Sequence, residues 1–194
     1  MKQLLLFITI FLPVVGLAKI DRRQVLTRNN PHVNAIDSLA SLSVGNGHFA
    51  FTVDATGLQT FPETYRNGIP LGTMSDWGWH SFPNKQQLTT QETLRLYDFG
   101  RGRQEPYAVQ IKEDGRKKDA ANYYRVNPHR LHLGTIGFDI PQGAAADIQD
   151  IDQTLELWDG LVKSRFAYRG VSYEVETACL PYADAVVAKV KAAK

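Results

Sequence analysis

Cysteine is almost absent from this sequence of 194 residues, in which Cys179 stands alone. An internal disulfide is therefore excluded, and so are the small scaffolds that disulfides hold together. Cys179 ends the alternating segment YEVETAC. That pattern favours a small buried hydrophobic side chain over a catalytic thiol.

A strong excess of either charge is also missing. The chain has 22 Lys and Arg residues against 20 Asp and Glu residues. The basic residues form no stripe, so no nucleic-acid partner is predicted. The densest basic run, GRKK at 115–118, follows Glu113 and Asp114 and is interpreted as a solvated hairpin tip. No motif points to a cofactor, and His129 and His132 have no third ligand nearby, so no metal site is predicted.

Long apolar runs are confined to the N-terminus. LLLFITIFLPVVGL, about 14 residues, is shorter than the ~20 residues that a membrane-spanning helix needs. The run follows Lys2, and the small residues Gly16 and Ala18 precede Lys19. Residues 1–18 are therefore interpreted as the signal peptide of a periplasmic or secreted protein, with no membrane contact after cleavage. A lone cysteine suits a bacterial periplasmic protein with a large core.

Helical periodicity is scarce in the rest of the chain. Residues 34–42 predict a helical turn or two, because their apolar residues recur three apart. Period-two alternation is commoner, and it predicts strands in HFAFTVD at 48–54 and around HLGTIGFDI at 132–140. Tight hairpin turns are predicted at Gly45–Gly47 and at Asp114–Gly115.

The last third of the chain gives the clearest strand pattern. TLELW and VKSRFAY alternate around Asp159–Gly160, VSYEVETAC follows Arg169–Gly170, and AVVAKVKA comes after Pro181. Polar-out, apolar-in strands fit antiparallel sheets with one solvated face. Many short strands with glycine-rich turns predict an all-β fold, an antiparallel β-sandwich with long ordered loops such as 59–87. The terminal AKVKAAK is expected to be an edge strand or the start of a truncated one.

The segment SDWGWHSFPN at 75–84 combines large aromatic residues with turn formers. Sugar sites need flat apolar faces for pyranose C–H groups and planar polar side chains for neighbouring hydroxyls. Trp77, Trp79, His80 and Asn84 supply both types. The alternative is that the aromatic side chains fill a core beneath the loop, and the pattern does not choose between the two.

A second polar segment, NPHRLHLG at 127–134, contains Asn127, His129 and Arg130. Arg130 is suited to clamp a carboxylate, and equally to brace loops by donating to backbone carbonyls. His129 contributes an imidazole ring to the same segment. Glycosidic hydrolysis needs two carboxyl groups across a cleft. The acids in this part of the chain, from which spacing selects no pair, are Glu63, Asp76, Glu92 and Asp98.

Several long motifs together resemble a known family. They are RNNP, SLSVGNGHFAFTVDATGLQTFPE, IPLGTMSDWGWHSFPN, YDFGRGRQEPYAVQ, NPHRLHLG and the spaced pattern that begins with LELWDG. They are similar to the N-terminal part of exported bacterial proteins of the six-hairpin glycosidase superfamily. More distantly, they resemble the first domain of the maltose-phosphorylase and trehalose-hydrolase group.

The resemblance implies that residues 19–194 are an incomplete N-terminal β-sandwich of the super-sandwich type, followed beyond residue 194 by a barrel of paired helices. It implies a glycoside hydrolase whose catalytic carboxylates lie on that barrel, with the loops at 75–84 and 127–134 packing on or over the active site. The expected partners are a carbohydrate substrate and the chain's own C-terminal barrel. The alternatives are a non-catalytic carbohydrate-binding or structural sandwich domain, and a phosphorylase.

Overall fold

The computed structural model describes residues 20–193. Their strands are β1 His32–Val33, β2 Leu42–Gly45, β3 Phe49–Val53, β4 Thr73–Ser75, β5 Trp79–His80, β6 Leu94–Asp98, β7 Gln104–Ala108, β8 His129–Arg130, β9 Gln149–Glu156, β10 Leu161–Tyr168, β11 Val171–Cys179 and β12 Val186–Ala193. The α-helices are α1 Arg22–Thr27, α2 Pro62–Tyr65 and α3 Arg116–Val126, and two 3-10 helices span Thr90–Thr93 and Gln142–Asp147. The fold is therefore mostly β and built from several antiparallel sheets, rather than all β as the sequence predicted.

The largest sheet is antiparallel and has the strand order β1-β9-β10-β11-β12. Its three hairpins confirm the pattern predicted for the last third of the chain. On β10, Val162, Phe166 and Tyr168 are buried while Lys163 and Arg165 are exposed, as the alternation requires. One solvated face and one buried face follow from this arrangement.

A second antiparallel sheet has the order β2-β3-β4 and packs on the inner face of the first. The predicted glycine turn joins β2 to β3, where Gly47 adopts a φ of 95° that suits glycine. The shared core contains Phe51 and Val53 from the smaller sheet, and Phe166 and Val175 from the larger. Cys179 is partly buried against this core, and burial raises the pKa of its thiol to about 11. It packs as a small hydrophobic side chain, although it is less buried than the sequence predicted.

The chain is buried without interruption from residue 51, near the end of β3, to residue 61, just before α2. A buried loop has no ladder partners, so side chains must satisfy its backbone. The Asp54 carboxylate accepts the backbone N–H groups of Thr56 at 2.8 Å and Phe61 at 2.7 Å, and also the Thr56 hydroxyl at 2.5 Å. Burial raises the pKa of Asp54 above its ordinary value, against these hydrogen bonds.

Polar side chains on the inner face of the large sheet donate hydrogen bonds to carbonyl groups of this loop. The Gln153 amide donates to the Asp54 carbonyl at 2.7 Å, and the Thr177 hydroxyl donates to the Gly57 carbonyl at 2.6 Å. A Cβ atom on Gly57 would lie 2.6 Å from the Ser164 hydroxyl oxygen. Glycine is therefore required where the loop meets the sheet.

The hairpin predicted at Asp114–Gly115 is wrong. Gly115, with φ of 123°, instead precedes α3, and the basic run lies in that helix. The Arg116 guanidinium pairs with Glu92 and donates to the carbonyls of Gln86 at 3.0 Å and Gln87 at 2.9 Å. The basic run is thus anchored to a neighbouring loop, which local sequence does not reveal.

Two other expectations are corrected. Residues 34–42 contain no helix, because the Asp37 carboxylate accepts the Leu39 N–H at 2.8 Å to form a turn and Leu42 already starts β2. HLGTIGFDI is not a strand, although its backbone bonds to the buried loop: the Gln59 N–H donates to the Ile136 carbonyl at 2.7 Å. Gly137 lies so close that an added Cβ would be 2.6 Å from the Gln59 carbonyl oxygen.

The predicted signal peptide lies outside the described residues. Among residues 20–193, no helix has the length and apolar character needed to cross a bilayer. The expected irregular segment 59–87 is regular in part, since it contains α2, β4 and β5.

Replacing Asp54 with alanine should lower the free energy of unfolding by about 3 kcal/mol, because the buried N–H groups of Thr56 and Phe61 lose their acceptor. Urea denaturation of the two proteins measures the difference. Asp98→Ala is the matched control. Asp98 is an exposed carboxylate that accepts the Gly100 N–H, and its loss should cost less than about 0.5 kcal/mol. Equal losses in the two variants would show that the buried loop does not depend on Asp54.

Candidate functional site

The two segments predicted to carry a site lie side by side. Strand β5 pairs with β8 in a short antiparallel sheet, with Trp79 opposite Arg130 and His80 opposite His129. The two residues of each pair are about 50 positions apart in the chain. The sequence pattern therefore did not predict that these two segments pair. One surface therefore contains residues from both segments.

Both tryptophans face solvent. The exposed fraction is 68% for Trp77 and 57% for Trp79, and Phe82 of the same loop is 50% exposed. Neither tryptophan fills a core, so the interpretation of the loop as a hydrophobic plug is wrong. Exposed aromatic side chains held in ordered loops are typical of contact surfaces.

Trp77 is held in place by a residue that the sequence did not single out. Its indole Nε1 donates to the Asp184 carboxylate at 2.9 Å. The same carboxylate accepts the Ser75 hydroxyl at 2.6 Å and the Asn46 amide at 3.4 Å. Hydrogen bonds from Ser75, Asn46 and Trp77, with the charge of His48, keep the pKa of Asp184 below its ordinary value. Asp184 thus links the β11–β12 turn to the glycine turn and the aromatic loop.

Asp76 connects the aromatic loop to Arg130 and His48. Its Oδ2 lies 2.6 Å from His48 Nδ1, and its Oδ1 lies 3.2 Å from an Arg130 Nη2. Arg130 also donates to the carbonyls of Ser75, at 3.3 Å, and of Asp76. Arg130 therefore braces the aromatic loop through backbone carbonyls, which is one of its two predicted roles, and it pairs with a carboxylate of the same loop. Its contact with a ligand carboxylate stays a prediction.

The imidazole rings of His80 and His129 pack with Phe82. Ring centroids are 4.7 Å apart for His80 and Phe82, and 5.3 Å apart for Phe82 and the stacked His129. His129 Nδ1 lies 3.1 Å from the Val126 carbonyl oxygen. These contacts give the surface a compact aromatic patch beside the Asp76–Arg130 pair.

Asn84 and Asn127 bond to backbone rather than standing free. Asn84 donates to the Leu88 carbonyl and accepts the Leu88 N–H, both at 2.8 Å. Asn127 is buried and makes the same pair of bonds to Phe82, at 3.2 Å and 2.7 Å. Their amides hold the two loops in shape. The exposed groups that remain for a ligand are the aromatic rings of the loops and the side chains of Asp76, His48 and Arg130.

Two open clefts flank the Asp76–Arg130 pair, and both residues line each cleft. One, of about 370 Å³, also includes Trp79 and His129. The other, of about 380 Å³, lies over the glycine turn and includes His48. A ligand on either side would meet the same charged pair.

The acids considered for hydrolysis have partners of their own. Glu63 pairs with Arg66, Glu92 accepts the Thr89 N–H at the start of a 3-10 helix, and Asp98 accepts the Gly100 N–H. In the described part of the chain, no three His, Cys, Asp or Glu side chains converge as metal ligands would.

The pKa of His48 should lie above the ordinary 6.5, because the hydrogen bond and charge of Asp76 favour the imidazolium, with a smaller contribution from the Asp184 charge. A histidine NMR titration measures this pKa. Asp76→Asn should lower it toward 6.5, whereas Asp98→Asn should leave it unchanged. Since the pKa is raised in the folded state, protonated His48 stabilises the fold below its unfolded pKa, and this contribution is lost as pH rises through the folded pKa. An unchanged pKa in Asp76→Asn would contradict the ion pair.

The contacts described above are all within this chain. Comparisons with protein-family models, with curated proteins and with solved structures found no match to the chain. Its family and activity therefore stay as proposals.

Proposed function

We propose that this chain is the N-terminal β-sandwich domain of a periplasmic or secreted glycoside hydrolase, and that its surface around Trp77, Trp79 and the Asp76–Arg130 pair contacts carbohydrate. One observation carries the proposal. Two tryptophan rings are exposed on hydrogen-bonded loops, next to an exposed carboxylate–guanidinium pair. The motif resemblance to six-hairpin glycosidases agrees with this chemistry.

The sandwich part of the proposal rests on the two larger sheets. Both are antiparallel, and residues from both form one core. Face-to-face packing of two such sheets is the architecture of a sandwich. The loop that contains Trp77 and Trp79 leaves the smaller sheet at β4, so the sandwich would present it to a ligand or to a neighbouring domain.

Carbohydrate is the ligand class that suits this surface. The C–H faces of a pyranose pack on flat aromatic rings, and its hydroxyls need planar groups that donate or accept two hydrogen bonds. Trp77 and Trp79 offer the rings, and Arg130 and Asp76 offer the planar groups. His48 adds an exposed imidazole on the other side of the pair.

The catalytic acid and base are proposed to lie on a helical barrel beyond residue 194. Glu63, Glu92 and Asp98 already serve as partners for nearby groups, and Asp76 is tied to Arg130 and His48. A hydrolytic pair needs two carboxyl groups facing one glycosidic bond. The chain alone is therefore expected to be inactive on glycosides.

A non-catalytic carbohydrate-binding domain is the second candidate. It is favoured because the aromatic rings and the Asp76–Arg130 pair all belong to this chain and face solvent. The two candidates differ in what the chain does alone. A binding domain retains oligosaccharides by itself, whereas a domain that completes a barrel site binds them weakly without the barrel.

Trp77→Ala and Trp79→Ala should each weaken oligosaccharide binding about tenfold, because truncating a contact aromatic costs on the order of 1–2 kcal/mol. Calorimetric titration of the mature chain with a panel of oligosaccharides measures the change. Trp158→Ala is the matched control. Trp158 is also exposed, at 48%, but its ring packs with Arg23 in the turn between β9 and β10, outside the two loops of this surface.

The outcomes separate the proposals. Equal losses in Trp158→Ala and the two loop variants would contradict a carbohydrate surface at the loops. Hydrolysis of a glycoside panel by the chain alone would overturn the assignment of catalysis to a barrel. A reading frame that continues past Lys194 into paired helices with an inward Glu or Asp would support it.

A further inference from the structure

Arg130 has hydrogen-bond donors that its contacts with the described residues do not use. A guanidinium has one N–H group on Nε and two on each of Nη1 and Nη2. Nη1 donates to the backbone carbonyls of Ser75 and Asp76, and Nη2 donates to Asp76 Oδ1 at 3.2 Å. The N–H of Nε and the second N–H of Nη2 therefore have no acceptor in the described part of the chain, and half of the side chain is exposed.

The unused donors lie on neighbouring nitrogen atoms of the guanidinium. Nε and Nη2 form one edge of this planar group, and such an edge binds both oxygens of a carboxylate at once. Asp76 meets a different edge, because its carbonyl and its Oδ1 accept from Nη1 and Nη2. A second carboxylate can therefore bind Arg130 without displacing Asp76.

The charge of Asp76 is offset by two cations, so the acid does not exclude an anionic ligand. Its Oδ2 lies 2.6 Å from His48 Nδ1, and its Oδ1 pairs with Arg130. The hydrogen bond and the charge of Asp76 raise the pKa of His48, which increases the protonated fraction of the imidazole near neutrality. Asp184 is the other acid near His48, and it accepts the Ser75 hydroxyl at 2.6 Å. With His48 protonated, two acids face two cations.

Trp79 lies beside Arg130 on the same face of the β5–β8 pair. The two residues are directly opposite one another, which places their Cβ atoms ~5 Å apart. Both line the cleft of about 370 Å³, together with Pro128 and His129.

A sugar ring stacked on Trp79 would bring a group at its rim to the guanidinium of Arg130. The carboxylate of a uronic acid is such a group, because it is bonded directly to a carbon of the pyranose ring. The ring and the guanidinium would thus contact adjacent parts of a single sugar unit.

We infer that this cleft prefers acidic sugars, with a uronic acid ring stacked on Trp79 and its carboxylate bound by Nε and Nη2 of Arg130. The inference rests on the proposed function, since it names the class of sugar that the same surface would bind. A neutral sugar offers Arg130 only hydroxyl oxygens, which are weaker acceptors than a carboxylate. Arg130 is thus the residue that determines specificity, whereas Trp79 contributes affinity for acidic and neutral sugars alike.

The test compares acidic oligosaccharides with their carboxyl-reduced forms. Trimers of galacturonic acid and of glucuronic acid are titrated into the mature chain by calorimetry, beside the same trimers with each carboxylate reduced to a hydroxymethyl group. At least one acidic trimer should bind about tenfold more tightly than its reduced form, because it gains charge-assisted hydrogen bonds. Raising the salt concentration should reduce this preference.

NMR of the native protein locates the preference at Arg130. With ¹³C and ¹⁵N labelling, the Nε–H signal of Arg130 is assigned through the carbons of its own side chain. The preferred acidic trimer should shift this signal, and the reduced trimer should shift it much less.

Variants test the same assignment by affinity. Arg130→Gln should remove the preference, and Arg130→Lys should remove most of it, because a lysine keeps the charge without the planar edge. Arg66→Gln is the matched control and should leave the preference unchanged. Arg66 is also exposed and paired with a carboxylate, that of Glu63, and it lines neither cleft.

The outcomes distinguish this inference from the proposed function. Equal affinity for acidic and reduced trimers, with both weakened by Trp79→Ala, overturns the preference and leaves a carbohydrate surface in place. A preference that persists in both Arg130 variants, or that Arg66→Gln also removes, overturns the role of Arg130. So does an unmoved Nε–H signal in the native protein, a measurement that needs no folded variant. If no trimer binds, the proposed function fails as well.

Discussion

The carboxylate of Asp54 is the constraint on which the rest of the structure depends. It lies inside the core and accepts the backbone N–H groups of Thr56 and Phe61, so a loop with no strand partner can be buried. Gln153 and Thr177 bond to carbonyls on the other side of the loop. The two sheets therefore meet through a polar loop as well as through apolar side chains, and the loop sets their relative position.

That position decides what the surface presents. Strand β4 follows the buried loop and leads directly to the aromatic segment, where Asp184 holds Trp77 and Asp76 holds Arg130 and His48. Each of these bonds joins segments far apart in the chain. The exposed rings are thus displayed by fixed loops, and a ligand would find them already arranged.

Sequence patterns succeeded where a residue's neighbours in the chain decide its structure. The hairpins around Asp159–Gly160 and Gly45–Gly47 were predicted because alternation and turn residues act locally. Sequence patterns failed where contacts with residues distant in the chain decide the local structure. Asp114–Gly115 reads as a turn, yet Arg116 is anchored by Glu92 and the helix α3 follows. HLGTIGFDI alternates like a strand, but Gly137 packs against the buried loop instead.

The sequence by itself determined that antiparallel strands dominate the fold, that hairpins form the last third, and that one segment combines aromatic with polar side chains. Only the tertiary structure decided that Trp77 and Trp79 are exposed, that Asn84 and Asn127 serve the backbone, and that Asp184 belongs to the same surface. The physical reason is that exposure and hydrogen-bond partners depend on which segments meet in space. Residue type and spacing along the chain do not specify which distant segments contact one another.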